Sequence, residues 1–83
     1  MSSAIEERIK KYIENDLSVQ KIRITNNELL FSAGIIDSLG QIKLICFLEK
    51  EFRILINADE LILENFNSVK KITDFVERKV AFK

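Results

Sequence analysis

An all-α fold, a small four-helix bundle with a long loop between helices one and two and a short third helix, is what this 83-residue sequence predicts. Three observations carry that reading. With 47% hydrophobic and 31% charged residues the chain has the composition of one small folded domain, 1–83, with no low-complexity segment or internal repeat. Apolar residues recur at spacings of three and four in its first, central and last segments. The one stretch that alternates like a strand, "VQKIRITNN" from Val19 to Asn27, finds no partner strand elsewhere. A lone cysteine, Cys46, forms no internal disulfide, so stability rests on helix packing.

Helix one is expected from Ser3 to Leu17, where Ile5, Ile9, Tyr12, Ile13 and Leu17 form an apolar stripe between charged residues. Ser2 or Ser3 serves as its N-cap, and Glu6 completes a capping box with Ser3. Residues 18–37 read as a long connection held to the core by Ile22, Ile24, Leu29, Leu30, Phe31, Ile35 and Ile36, with Gly34 supplying a turn before the next helix. Helix two runs from Ser38 to Phe52, with Leu44, Ile45, Leu48 and Phe52 as its core face. Asn57 and Asn67-Ser68 are caps around a short helix near Asp59 to Leu63. The last helix, Ser68 to Val80, places Val69, Ile72, Phe75, Val76 and Val80 on one stripe.

Thirteen basic and thirteen acidic side chains cancel without forming blocks, so no electrostatic footprint for nucleic acid or an anionic membrane exists. No apolar run approaches the roughly 20 residues that span a bilayer, and the charged, helical start is unlike a signal peptide. A cytoplasmic protein, and a monomer, is expected. Histidine is absent, which removes Ser-His and Cys-His pairs and His-containing zinc sites. Glu6-Glu7 and Glu49/Glu51 sit among basic residues on solvated faces, so no catalytic carboxylate pair is read from them and no metal site is expected.

The head of helix two raises a separate question. Asp37-Ser38-Leu39-Gly40 places one of only two glycines within the first turn of the most hydrophobic helix. Ser38 has a structural explanation, since Ser38-Leu39-Gly40-Gln41 matches a capping box, and Asp37 is an alternative cap. Gly40 is left unexplained by capping, because a helical glycine costs about 1 kcal/mol relative to alanine. A glycine there lets another group approach the helix closely, and the helix N-terminus offers free amides and partial positive charge to a phosphate on a serine. Leu39, Ile42 and Cys46 border the strip of Lys43 and Lys50. Periodicity alone reads them as a wide core stripe, and the same residues form a face for a partner. Without histidine to activate it, Cys46 reads as an inert packing residue and not as a nucleophile.

These features resemble the acyl carrier protein superfamily, small four-helix proteins whose Asp-Ser-Leu motif carries phosphopantetheine on the serine. The likeness is strongest in "LLFSAGIIDSLGQIKLICFLEKEFRILI" and "ENFNSVKKITDFV". It implies that Ser38 is the attachment site for 4′-phosphopantetheine, transferred from coenzyme A by a separate phosphopantetheinyl transferase that Asp37 helps to recruit. The resemblance makes the chain a carrier substrate and not an enzyme, its acyl group held as a thioester on the arm's thiol and not on Cys46. The expected docking patch comprises Leu39, Gly40, Ile42, Lys43, Cys46 and Lys50. Carriers of fatty-acid synthesis resemble one another in an acidic helix two, from which Gly40, Lys43, Lys50 and the zero net charge depart. "GIIDSLG" looks more like free-standing peptidyl, aryl or D-alanyl carriers, which implies loading by an adenylating enzyme and delivery to downstream acyl-using enzymes. An unmodified helical adaptor that binds proteins through Leu39, Ile42 and Cys46 is the alternative.

Overall fold

A computed structural model describes residues 4–17 and 23–81, whose regular elements are all helical, with no strand among them. The order is α1 (Ala4–Tyr12), a π-helical turn (Ile13–Leu17), α2 (Ser38–Phe52), a 3₁₀ turn (Ala58–Glu60), α3 (Leu63–Phe66) and α4 (Val69–Ala81). The serine caps expected at Ser2 and Ser3, and the anchor Ile22, lie outside the described residues.

The apolar stripe of α1 continues unbroken through the wider turn, so Ile9, Ile13 and Leu17 are all buried. They meet Val69, Ile72, Phe75 and Val76 of α4, and Leu44 and Leu48 of α2. The α2 core face is narrower than its sequence suggests, because Ile45 and Phe52 are only partly buried against the core. On α4, Thr73 joins the buried face by donating its hydroxyl proton to the Val69 carbonyl at 2.8 Å. Val80, by contrast, is 39% exposed, beyond the end of the stripe.

The connection before α2 is ordered by burial and by backbone pairing. Ile24, Leu30, Ile35 and Ile36 are buried, whereas Leu29 is half exposed, contrary to its expected role as an anchor. Ile24 N–H donates to Glu14 Oε2 at 2.8 Å, Leu30 N–H to the Asn67 carbonyl at 2.8 Å, and Lys70 N–H to the Asn26 carbonyl at 2.9 Å. The loop therefore satisfies an otherwise orphan amide at the start of α4.

After α2, the short helix is displaced from the expected Asp59 to Leu63. Asn57 opens a 3₁₀ turn, donating its N–H to Glu60 Oε1 at 2.9 Å, and the α-helical turn begins only at Leu63. Phe66 is the residue that this arrangement must bury, and it stacks obliquely on Phe75 with ring centroids 5.1 Å apart. Ser68 then caps α4, accepting the Lys71 N–H at 3.2 Å.

Candidate functional site

The loop delivers its last two residues to the surface by burying the two before them. Gly34 adopts φ +75°, with open space where a side chain would stand, so the glycine is required by the backbone and not by packing. Behind this turn the Ile35 and Ile36 amides both donate to the Leu30 carbonyl, at 2.9 and 3.2 Å, and both side chains are buried. Asp37 and Ser38 follow, both exposed.

Of the two caps the sequence allows, the structure selects Asp37. Its backbone is extended, its carbonyl accepts the Gln41 N–H at 2.9 Å, and its Oδ1 accepts the Gly40 N–H at 2.7 Å. A carboxylate on a helix N-terminal amide is a charge-assisted bond aligned with the helix dipole, stronger than the bond a hydroxyl would make. Ser38 is thereby the first residue inside the helix, and its hydroxyl has no hydrogen-bond partner among the described residues.

Gly40 is buried, which corrects its placement in an exposed docking patch. A Cβ there would lie 2.8 Å from Ile36 Cγ2 and 3.2 Å from Asp37 Oδ1. The group that the glycine admits is the chain's own loop.

The other expected patch residues lie outside the core stripe: Leu39 and Ile42 are 59% and 60% exposed, and Lys43, Cys46 and Lys50 are exposed as well. The wide-core reading of Leu39, Ile42 and Cys46 is therefore overturned, because the π-helical turn and α4 pack on the side of α2 that carries Gly40, Leu44 and Leu48. Sequence reasoning missed Phe47. It stacks on Tyr12 with centroids 3.9 Å apart and planes 4° from parallel, and meets Phe52 edge-on at 6.3 Å. The available signal was its position between the core face and the lysine strip, opposite the only tyrosine of the chain. Burial raises the Tyr12 pKa, and the nearby Asp16 and Cys46 add to the shift, so the ring stays neutral. Three further apolar side chains, Leu61, Ile62 and Leu63, are exposed around the start of α3.

An exposed serine, relieved of capping at the head of the central helix, suits the attachment of a phosphodiester-linked group. Its hydroxyl is exposed and free of the capping bond, which Asp37 makes instead. Residues 7–76 match the family model described as "Phosphopantetheine attachment site". The chain is 40% identical over 75 residues to an acyl carrier protein of Buchnera aphidicola subsp. Acyrthosiphon pisum (strain Tuc7), covering 90% of this chain and 91% of that one. It is 36% identical over 73 residues to a D-alanyl carrier protein of Streptococcus uberis (strain ATCC BAA-854 / 0140J), covering 88% and 91%. The chain belongs to the phosphopantetheine-attachment family of carrier proteins, whose cofactor is 4′-phosphopantetheine. Its function is that of a carrier, and the unmodified adaptor is not favoured. No helix among the described residues is long and apolar enough to cross a membrane.

Proposed function

We propose that Ser38 carries the phosphopantetheine arm, and that residues 1–83 act as a single carrier domain that shuttles an acyl or aminoacyl group between cytoplasmic enzymes. The observation that supports this is the division of labour at the head of α2: Asp37 Oδ1 holds the Gly40 amide and leaves the exposed Ser38 hydroxyl unengaged. In the active site of a phosphopantetheinyl transferase, that hydroxyl forms the new phosphodiester bond as the nucleotide portion of coenzyme A leaves. Asp37 engages only Oδ1, so Oδ2 remains for the transferase and its metal ion.

When attached, the arm supplies a thiol that holds the cargo as a thioester. The chain itself makes and breaks no bond in this reading; it raises the effective concentration of the cargo at each partner. An adenylating enzyme loads the thiol, consistent with the likeness to D-alanyl carriers and with lysines on α2. Leu39, Ile42, Lys43, Cys46 and Lys50, all exposed along α2 from its Ser38 end, form the docking patch.

Intact-protein mass spectrometry after incubation with coenzyme A and a broad-specificity transferase tests the assignment. Wild type should gain one phosphopantetheine and Ser38→Ala none, and because Asp37 is the cap, Ser38→Ala should stay within about 0.5 kcal/mol of wild type in stability. Asp37→Ala should instead lose about 1 kcal/mol. Modification of Ser38→Ala, or an unmodified wild type beside a modified control carrier, overturns the assignment.

A further inference from the structure

Helix α2 contains two glutamates and two lysines, and the fold treats them unequally. Glu49 Oε2 accepts the Ile56 N–H at 3.0 Å, and Glu51 is paired with Arg8 of α1. Lys43 and Lys50 are exposed, and neither ammonium has an ion-pair or hydrogen-bond partner among the described residues. Of the four charged side chains of α2, the two lysines alone are without an ion-pair or hydrogen-bond partner among the described residues.

Those two lysines flank an open groove of about 440 Å³ between α1 and α2. Tyr12 and Phe47 form part of its lining, and their parallel stack at 3.9 Å fixes both rings. Ile42, 60% exposed, and Cys46 supply the rest of the apolar lining. The single carboxylate that lines it, Glu51, is paired with Arg8, and Asp16 lies beyond the lining on the Tyr12 side. Lys43 and Lys50 stand two helical turns apart, a rise of roughly 10.5 Å, so a second helix laid along the groove can meet both with carboxylates at its own i and i+7 positions. Apolar side chains between those carboxylates would then rest on Ile42 and Phe47.

We propose that this groove docks an acidic amphipathic helix of a partner enzyme, with aliphatic anchors on the Tyr12/Phe47 floor and carboxylates on Lys43 and Lys50. The role in loading or delivery rests on the carrier reading above; the groove's preference for acidic over basic helices does not. Like-charge juxtaposition excludes helices whose corresponding positions are Lys or Arg.

The test uses the full apo chain and two synthetic helical peptides with the same leucine stripe, one with glutamates and one with lysines at the flanking positions. In ¹H–¹⁵N spectra the acidic peptide should shift the amides of Ile42, Lys43, Cys46, Phe47 and Lys50 and bind at least roughly tenfold more tightly than the basic one, with binding weakened as salt is raised. Lys43→Glu/Lys50→Glu should reverse the preference, and Lys43→Gln/Lys50→Gln should reduce it, which separates lost attraction from new repulsion. Equal binding of the two peptides, shifts centred elsewhere, or an unchanged preference in both variants overturns the proposal. Shifts of the same amides on raising the concentration of the chain alone would make a second copy the occupant, and also overturn it. This readout needs no arm on Ser38, so failure of the groove and failure of the attachment assignment are seen separately.

Discussion

Asp37 and Ser38 divide two tasks that a serine capping box would have placed on one residue. The carboxylate holds the helix end, and the hydroxyl one residue later is left without an internal partner. Gly40 follows from the same turn: with Asp37 folded over its amide and Ile36 packed against its α-carbon, a methyl group has no room. Alanine there gains about 1 kcal/mol of helix propensity. It also overpacks against a buried β-branched side chain, at a cost of about 1–3 kcal/mol. Gly40→Ala should therefore be destabilising by about 1 kcal/mol in urea unfolding, and stabilising when introduced into Ile36→Ala, where the clash is gone. Additive effects of the two substitutions would disprove the contact.

At the scale of elements, the end of α2 is as specific as its start. Arg53 closes the helix in the left-handed conformation, φ 53° and ψ 51°, with its N–H on the Glu49 carbonyl, and it is the one residue other than glycine with positive φ among those described. An L-residue in that conformation bears about 1–2 kcal/mol of strain, whereas glycine bears none and loses roughly 0.5–1 kcal/mol more chain entropy on folding. Arg53→Gly should stabilise the protein by about 0.5 kcal/mol, seen as a melting temperature raised by a few degrees, roughly 2–4 °C. The places of α1, α2 and α4 were legible because each carries a repeated apolar stripe, although α1 ends at Tyr12 and its stripe runs on to Leu17 through the π-helical turn. The α3 region was not, because Leu61, Ile62 and Leu63 are exposed and only Phe66 is buried, so periodicity offers nothing to align.

Across the whole molecule, short polar ties hold the irregular segments to the helices. The Glu60 carboxylate receives the Lys79 ammonium at 2.9 Å and the Asn57 amide at 2.9 Å, joining the turn after α2 to the end of α4. The Lys79 hydrogen bond first, and the Asn57 amide second, lower the Glu60 pKa below the ordinary carboxylate value. A lowered folded pKa means that the tie contributes fully above the unfolded carboxylate's titration range and is lost as pH falls through the folded value. Denaturation between about pH 6 and pH 3 should thus show the stability difference between wild type and Glu60→Gln shrinking as pH falls. A constant difference across that range would show that the tie is not electrostatic.

The sequence by itself determined the helical class, the places of the three longer helices, the turn at Gly34 and the presentation of an Asp-Ser-Leu motif at the head of α2, because each is written in local spacing and backbone preference. The likeness to carrier proteins was legible for the same reason. Only the tertiary structure decided between Asp37 and Ser38 as the cap, gave Gly40 its cause in Ile36, moved Leu39, Ile42 and Cys46 from core to surface, and paired Phe47 with Tyr12. Those outcomes depend on which face of α2 the π-helical turn and α4 cover and on where residues 23–37 of the connection return to the bundle. They are contacts between distant segments, and a helical period is the same whether its neighbour is another helix or water.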